Sequence, residues 1–170
     1  MAFQSFVNIK YAAGVAGELA KDEPTRVNSH ALDSNGGTIG RMFTASNSTG
    51  VATQGGTATP GTSYLLGLLV GPKEQTLIGT TAGTLTPTLT LPGNAQGEFL
   101  QMGQVWVTIT GTCNLGDIVQ YHTATGVLSC KQPGSTADAS NALIPNAVVT
   151  GDRVTGSGGL TRIRFAGFTA

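Results

Sequence analysis

Charge is what this sequence has least of. Only 11% of its 170 residues are Asp, Glu, Lys or Arg, against about 25% in an average soluble domain. The 9 basic and 9 acidic residues cancel to a formal net charge of zero. There is therefore no clustered Lys and Arg of the kind nucleic acid requires, and none of the high net charge of ordinary disordered chains. No window reaches the roughly 18 consecutive apolar residues of a membrane span. Cysteine is scarce too: Cys113 and Cys130 are far below the density of a disulfide scaffold. They flank a predicted hairpin and could meet across it, but the favoured reading leaves them unpaired, with Cys113 a small apolar packer. The N-terminus MAFQSFVNIKYAAG lacks the roughly 7–15-residue apolar run behind a basic start that marks a secretory signal. Maturation in the cytoplasm where the chain is made is the expectation.

What the chain does have is glycine, 25 residues, and threonine at about the same frequency, with 39% hydrophobic residues. Its length suits one domain, or a domain with an appendage, able to bury about two thirds of its surface. Residues 1–23 read as an extended arm carrying Phe3, Phe6, Ile9 and Tyr11, and Pro24 ends any helix before it. Residues 24–170 read as a single all-β domain, with a subdivision near residue 92 into two small β subdomains as an option.

Within that domain, Thr38–Thr44 reads as one strand with Ile39, Arg41 and Phe43 on a shared face, which takes Arg41 to the rim of the core. Residues 45–60, almost all Ser, Thr, Asn, Gly and Ala, read as a long loop or a partly ordered surface strand. Tyr64–Val70 is the strongest apolar run and, between glycines, favours a buried strand. Gln75–Thr80 begins another. Thr84–Leu91 alternates with period two, and Pro87 makes it an edge or bulged strand. Val105–Thr110 places Val105, Val107 and Ile109 on one face and Trp106 on the other. Leu115–Tyr121, a glycine turn and the following Val127-Leu128 form a hairpin. Ala147–Thr150 and Leu160–Phe165 complete the set, the last with Leu160, Arg162 and Arg164 opposite Thr161, Ile163 and Phe165. Short strands with few helix signals predict an all-β fold, a small barrel or sandwich with an extended N-terminal arm and long Gly/Thr-rich loops.

Chemistry finds little purchase. Cys113, Asp117 and His122 are the only local grouping resembling a nucleophile, base and orienter, yet Asp117 and His122 have opposite strand parity. His30 and His122 lie far apart, with no Cys-x-x-Cys motif and only Asp22-Glu23 as an adjacent acidic pair. Gly36-Gly37 and Gly55-Gly56 lack the Lys-Ser/Thr of a phosphate loop. No catalytic residue, cofactor or metal is expected. Trp106 is either core or an interface anchor. Arg162 and Arg164 either pair with carboxylates of a neighbouring subunit or lie on a solvated face with ordinary edge-strand protection.

Five motifs occur in a telling order: Gly14-Val-Ala-Gly-Glu-Leu-Ala20 with Pro24, Gly37-Thr-Ile-Gly-Arg-Met-Phe43, Gly103-Gln-Val-Trp-Val107, Gly116-Asp-Ile-Val-Gln-Tyr121 with Thr125-Gly126, and Gly158-Gly-Leu-Thr-Arg-Ile-Arg-Phe165. Together they resemble the tailed-phage structural cement, or capsid decoration, proteins. Residues 45–61 depart from that pattern. The resemblance implies a non-catalytic virion protein on the outer capsid surface, assembled in the host cytoplasm, that locks neighbouring capsomers. Its partners would be the major capsid protein and copies of itself, as dimer or trimer, with neither nucleic acid nor membrane. Low charge fits a surface covered by protein, and the arm could add a strand to a neighbour's sheet edge. Candidate interface residues are Phe3, Phe6, Ile9, Tyr11, Trp106, Arg162 and Arg164. The alternative is a carbohydrate- or receptor-binding β-module of a tail fibre or surface adhesin.

Overall fold

The computed structural model describes residues 14–20, 23–71 and 89–167. These residues contain strands and no helix. In chain order the strands are β1 (Leu19–Ala20), β2 (Arg26–Ala31), β3 (Gly37–Thr38), β4 (Met42–Ser46), β5 (Ala52–Gln54) and β6 (Ser63–Val70). There follow β7 (Thr90–Leu91), β8 (Gln96–Thr110), β9 (Ile118–His122), β10 (Leu128–Lys131), β11 (Asn141–Val149) and β12 (Gly158–Phe165).

β8 is the spine of two small barrels. Its first half pairs with β2 along one edge, Ala31↔Gln96 to Arg26↔Met102, and with β6 along the other, Val70↔Glu98 to Leu68↔Leu100. β6 pairs with β4 and β4 with β5. β5 then meets the end of β2 through the parallel bridge Leu32↔Ala52, which closes the first ring. The second half of β8 pairs with β12 from Phe165↔Gly103 to Gly158↔Thr110. β12 continues to β11, β9 and β10. β10 returns to β8 in parallel at Leu128↔Ile109 and Ser129↔Thr110, closing the second ring. Closure removes the open edges that an all-β chain of this length must otherwise protect.

β8 passes from one ring to the other at Gly103. The β2 ladder carries a bulge between Arg26 and Val27, and Gly103 takes φ +124, a conformation costly for any residue with a Cβ. Before the bend Phe99 faces the first core, with Leu32, Phe43, Ala45, Ala52, Leu66 and Leu69. Phe43 and Phe99 meet edge-on, ring centroids 5.2 Å apart. After it Val105, Val107 and Ile109 face the second core, with Val119, Tyr121, Leu128, Ile144, Val149, Ile163 and Phe165. Met42, Leu68 and Leu100, adjacent to Phe43, Leu69 and Phe99 and therefore on the opposite face of their strands, belong to this second cluster. The first barrel thus uses both faces of β4, β6 and β8, which explains the unbroken apolar run of β6.

Several sequence expectations are corrected here. Thr38–Thr44 is not one strand: the backbone turns at Ile39 and Gly40, where Ile39 N–H donates to Leu89 O at 2.6 Å and Gly40 N–H to Leu69 O at 2.8 Å. Arg41, just past that turn, is half-buried, and desolvation lowers its pKa. Residues 45–60, read as a long loop or a partly ordered surface strand, contain the end of β4 and all of β5, paired as a hairpin with Ala45 and Ala52 buried, while residues 47–51 and 55–60 lie outside the strands. Alanine has low β-propensity and so gives no strand signal in the sequence. Cys113 and Cys130 are joined in a disulfide, Cα atoms 5.5 Å apart. The predicted strand at Gln75–Thr80 and most of the one at Thr84–Leu91 lie outside the described residues; the end of the latter, β7, pairs with β3.

Candidate interface site

The outer face of the second barrel carries one concentrated feature. On β12 the inward residues Thr161, Ile163 and Phe165 are buried, so Arg162 and Arg164 point outward. Their cross-strand partners on β8 are Trp106 and Gln104. The Arg162 guanidinium carbon lies 5.7 Å from the Trp106 ring centroid, within range of a cation–π contact. β12 is an internal strand, flanked by β11 and β8, so edge protection does not account for these arginines. Trp106 is half-buried on this face, outside both core clusters.

The segment 14–20 is seated on Trp106. Gly17 N–H donates to Trp106 O at 2.7 Å and Trp106 N–H donates to Glu18 O at 2.9 Å. β1 extends this pairing, Leu19 opposite Val105 and Ala20 opposite Gln104. A tight turn precedes it, in which Glu18 N–H donates to Val15 O at 2.9 Å while the Glu18 carboxylate accepts from Val15 N–H at 3.0 Å. Gly14 lies directly against the indole: a Cβ there would overlap Trp106 Cδ1, Cγ and Nε1. The opening Gly-x-x-Gly-Glu pattern therefore has a local physical cause, a side-chain-free contact and a self-capped turn. Further along the chain, Glu23 Oε1 accepts from Gln104 Nε2 at 2.8 Å and faces Arg164 Nη1 at 3.9 Å.

Of the seven candidate interface residues, Trp106, Arg162 and Arg164 are thus brought together, and their described neighbours include the chain's own residues 14–20 and Glu23. Phe3, Phe6, Ile9 and Tyr11 lie outside the described residues. The sequence reading missed Gln104 and Glu23, which carry no pattern linking them across 81 positions. It did not identify Gly14 and Glu18 as partners of Trp106, although the motif containing them was visible.

The Cys113, Asp117 and His122 grouping does not form a nucleophilic site. Cys113 is oxidised and fully buried. The Asp117 carboxylate accepts from Asn114 N–H at 2.8 Å, and His122 Nδ1 accepts from Ala124 N–H at 3.3 Å. These contacts shape turns.

Comparison with known proteins gives this arrangement its context. Residues 3–166 match the family model described as structural cement protein (E217 gp24/Pam3 gp6). A search of curated proteins found no match. The fold is similar to that of a chain in the structure titled "The capsid of Myoviridae Phage XM1", with a TM-score of 0.63 and 17% identity over 99% of this chain and 100% of that one. At that identity the likeness speaks for the fold. The family match, which leaves out only the extreme ends of the sequence, carries the assignment: the chain belongs to the phage structural cement proteins, a structural, capsid-associated family.

Proposed function

We propose that this protein binds the outside of a phage capsid and cements neighbouring capsomers, as a non-catalytic component of the virion added in the host cytoplasm. The major capsid protein and further copies of this chain, in a dimer or trimer, are its partners; the balanced charge offers nothing to nucleic acid. The observation that carries the reading is the seat of segment 14–20 on Trp106. The residues that precede it contain Phe3, Phe6, Ile9 and Tyr11, apolar anchors suited to a protein surface. A load on that arm would pass through β1 into β8, the strand common to both barrels, and so spread over the whole fold.

A binding test on particles decides the matter. Capsids lacking this protein are mixed with the purified chain, sedimented, and the occupancy and heat resistance of the shell measured. Cementing predicts saturable binding and a shell that ruptures at higher temperature when occupied. Binding without any gain in heat resistance contradicts cementing, and no binding contradicts the capsid reading altogether.

A further inference from the structure

We propose that the first barrel carries a binding site for a short oligosaccharide, in a groove across β2, β8 and β6, distinct from the Trp106 face proposed for the capsid. The groove measures about 860 Å³, within the size of small-ligand sites. On its wall stands Tyr64, 37% exposed and the only exposed aromatic side chain among the described residues. Around it are Arg26 and Asn28 from alternate positions of β2, Asn47 from the β4–β5 turn, and Gln101 from β8. No carboxylate lines the groove.

The polar groups here are unspent. Among the described residues, no hydrogen bond or ion pair engages the side chains of Arg26, Asn28 and Asn47. Gln101 commits its amide nitrogen to Leu66 O at 3.2 Å, which leaves its carbonyl oxygen to accept. A planar amide both donates and accepts and a guanidinium donates in pairs, and adjacent sugar hydroxyls, each donor and acceptor, can answer both. The C–H face of a pyranose stacks on an aromatic ring. A protein laid over this groove would have to match each of these groups or leave it buried and unsatisfied, at a cost. A hydroxyl-dense ligand satisfies them readily. One cation is too little for nucleic acid, but it favours an oligosaccharide with a carboxylate-bearing sugar beside Arg26.

The test uses the full chain on an array of neutral and uronic- or sialic-acid-bearing oligosaccharides. Calorimetric titration of the best binder then compares wild type with Tyr64→Ala, Arg26→Ala and Trp106→Ala. We expect Tyr64→Ala to weaken binding about tenfold or more. Arg26→Ala should weaken the acidic ligand more than its neutral counterpart, and Trp106→Ala should leave saccharide affinity intact. Both groove substitutions are at exposed positions and should leave the melting temperature unchanged. The proposal is overturned if no oligosaccharide is retained, or if both groove variants bind as wild type. Loss of capsid binding by Tyr64→Ala and Arg26→Ala in sugar-free buffer overturns it too, because the groove is then a protein interface.

Discussion

Cys113 and Cys130 are linked across the shortest seam of the second barrel. β10 closes that barrel on β8 with two residue pairs, against eight between β8 and β12. The disulfide joins β10 to the chain just beyond the end of β8, and Thr110 Oγ1 donates to Leu128 O at 2.8 Å beside it. Cys113 is further fixed by reciprocal backbone bonds with Val154, each 2.9 Å. The bridge thus acts where the backbone ladder is thinnest. Closing a loop of separation 17 contributes about 3 kcal/mol in the chain-entropy account. Reduction with dithiothreitol, or the Cys113→Ser/Cys130→Ser pair, should lower stability by about that amount in urea unfolding. Hydrogen exchange should rise first in Leu128–Lys131.

Trp106 and Gly14 give a sharper probe of the interface site. Gly14→Val places a branched side chain where the indole already sits. The two barrels do not depend on that contact, so their unfolding should shift only slightly. Segment 14–20 should leave the face instead, and limited proteolysis should cut within it faster than in wild type. Under the cementing account the same variant loses capsid occupancy. Trp106→Ala should do likewise, since it removes the platform and the Arg162 stack together.

Tyr121 ties one barrel to the other. Its hydroxyl, on β9, donates to Gly56 O beyond β5 at 3.0 Å, while Gly126 O in the β9–β10 turn accepts from Met42 N–H at 3.0 Å. Burial raises the Tyr121 pKa above its ordinary value, so the neutral hydroxyl is the form the fold holds. Stability from this group is full below about pH 10 and falls as pH rises through the higher folded pKa. Tyr121→Phe should cost about 1 kcal/mol and remove this part of the alkaline sensitivity, as read by urea midpoints across that range.

Asp138 predicts an acid effect of opposite sign. Hydrogen bonding from Lys131, then from Gln120, holds its carboxyl below the ordinary carboxylate value. Gln120 is buried and answers it twice, Nε2 donating to Asp138 Oδ2 at 2.6 Å and Oε1 accepting from Asp138 N–H at 3.0 Å. A lowered folded pKa means stability that is complete above about pH 4 and lost as pH falls through the folded value. Asp138→Asn should lower the neutral plateau modestly and flatten the acid limb, so that the variant and wild-type stability profiles converge at low pH. Asp138 is half exposed, so the effect is a modest one.

Much of the fold was legible because its signals are local. β6, the second half of β8, the β9–β10 hairpin and β12 follow from apolar runs and period-two alternation, which also groups Thr161, Ile163 and Phe165 on one face, the face that the structure buries. What was hidden depends on distant partners. Ala45 and Ala52 are core residues through their pairing and the bridge of Ala52 to Leu32, long-range contacts, and small side chains give no strand signal. The bend at Gly103 joins two ladders into one strand of 15 residues, which alternation from Val105 onward could not reveal. Arg162 and Arg164 fit an edge strand by sequence because nothing in their neighbours shows that β11 covers the other side. Cys113 and Cys130 flank a visible hairpin, yet their meeting requires the parallel return of β10 to β8, a long-range contact. Alternation sets Trp106 opposite Val105 and Val107 but leaves it as core or interface anchor; that it lies outside both cores and meets Gly14 and Glu18 depends on the backbone pairing of β1.

The central claim is that this chain holds neighbouring capsomers together from outside. Electron cryomicroscopy of the purified virion tests it most directly. The account predicts density for the two barrels on the outer shell, at the contacts between capsomers, with the segment leading into Gly14 reaching an adjacent subunit. Barrels seated within a single capsomer with no contact to its neighbours, or found only on the tail or inside the shell, would contradict it.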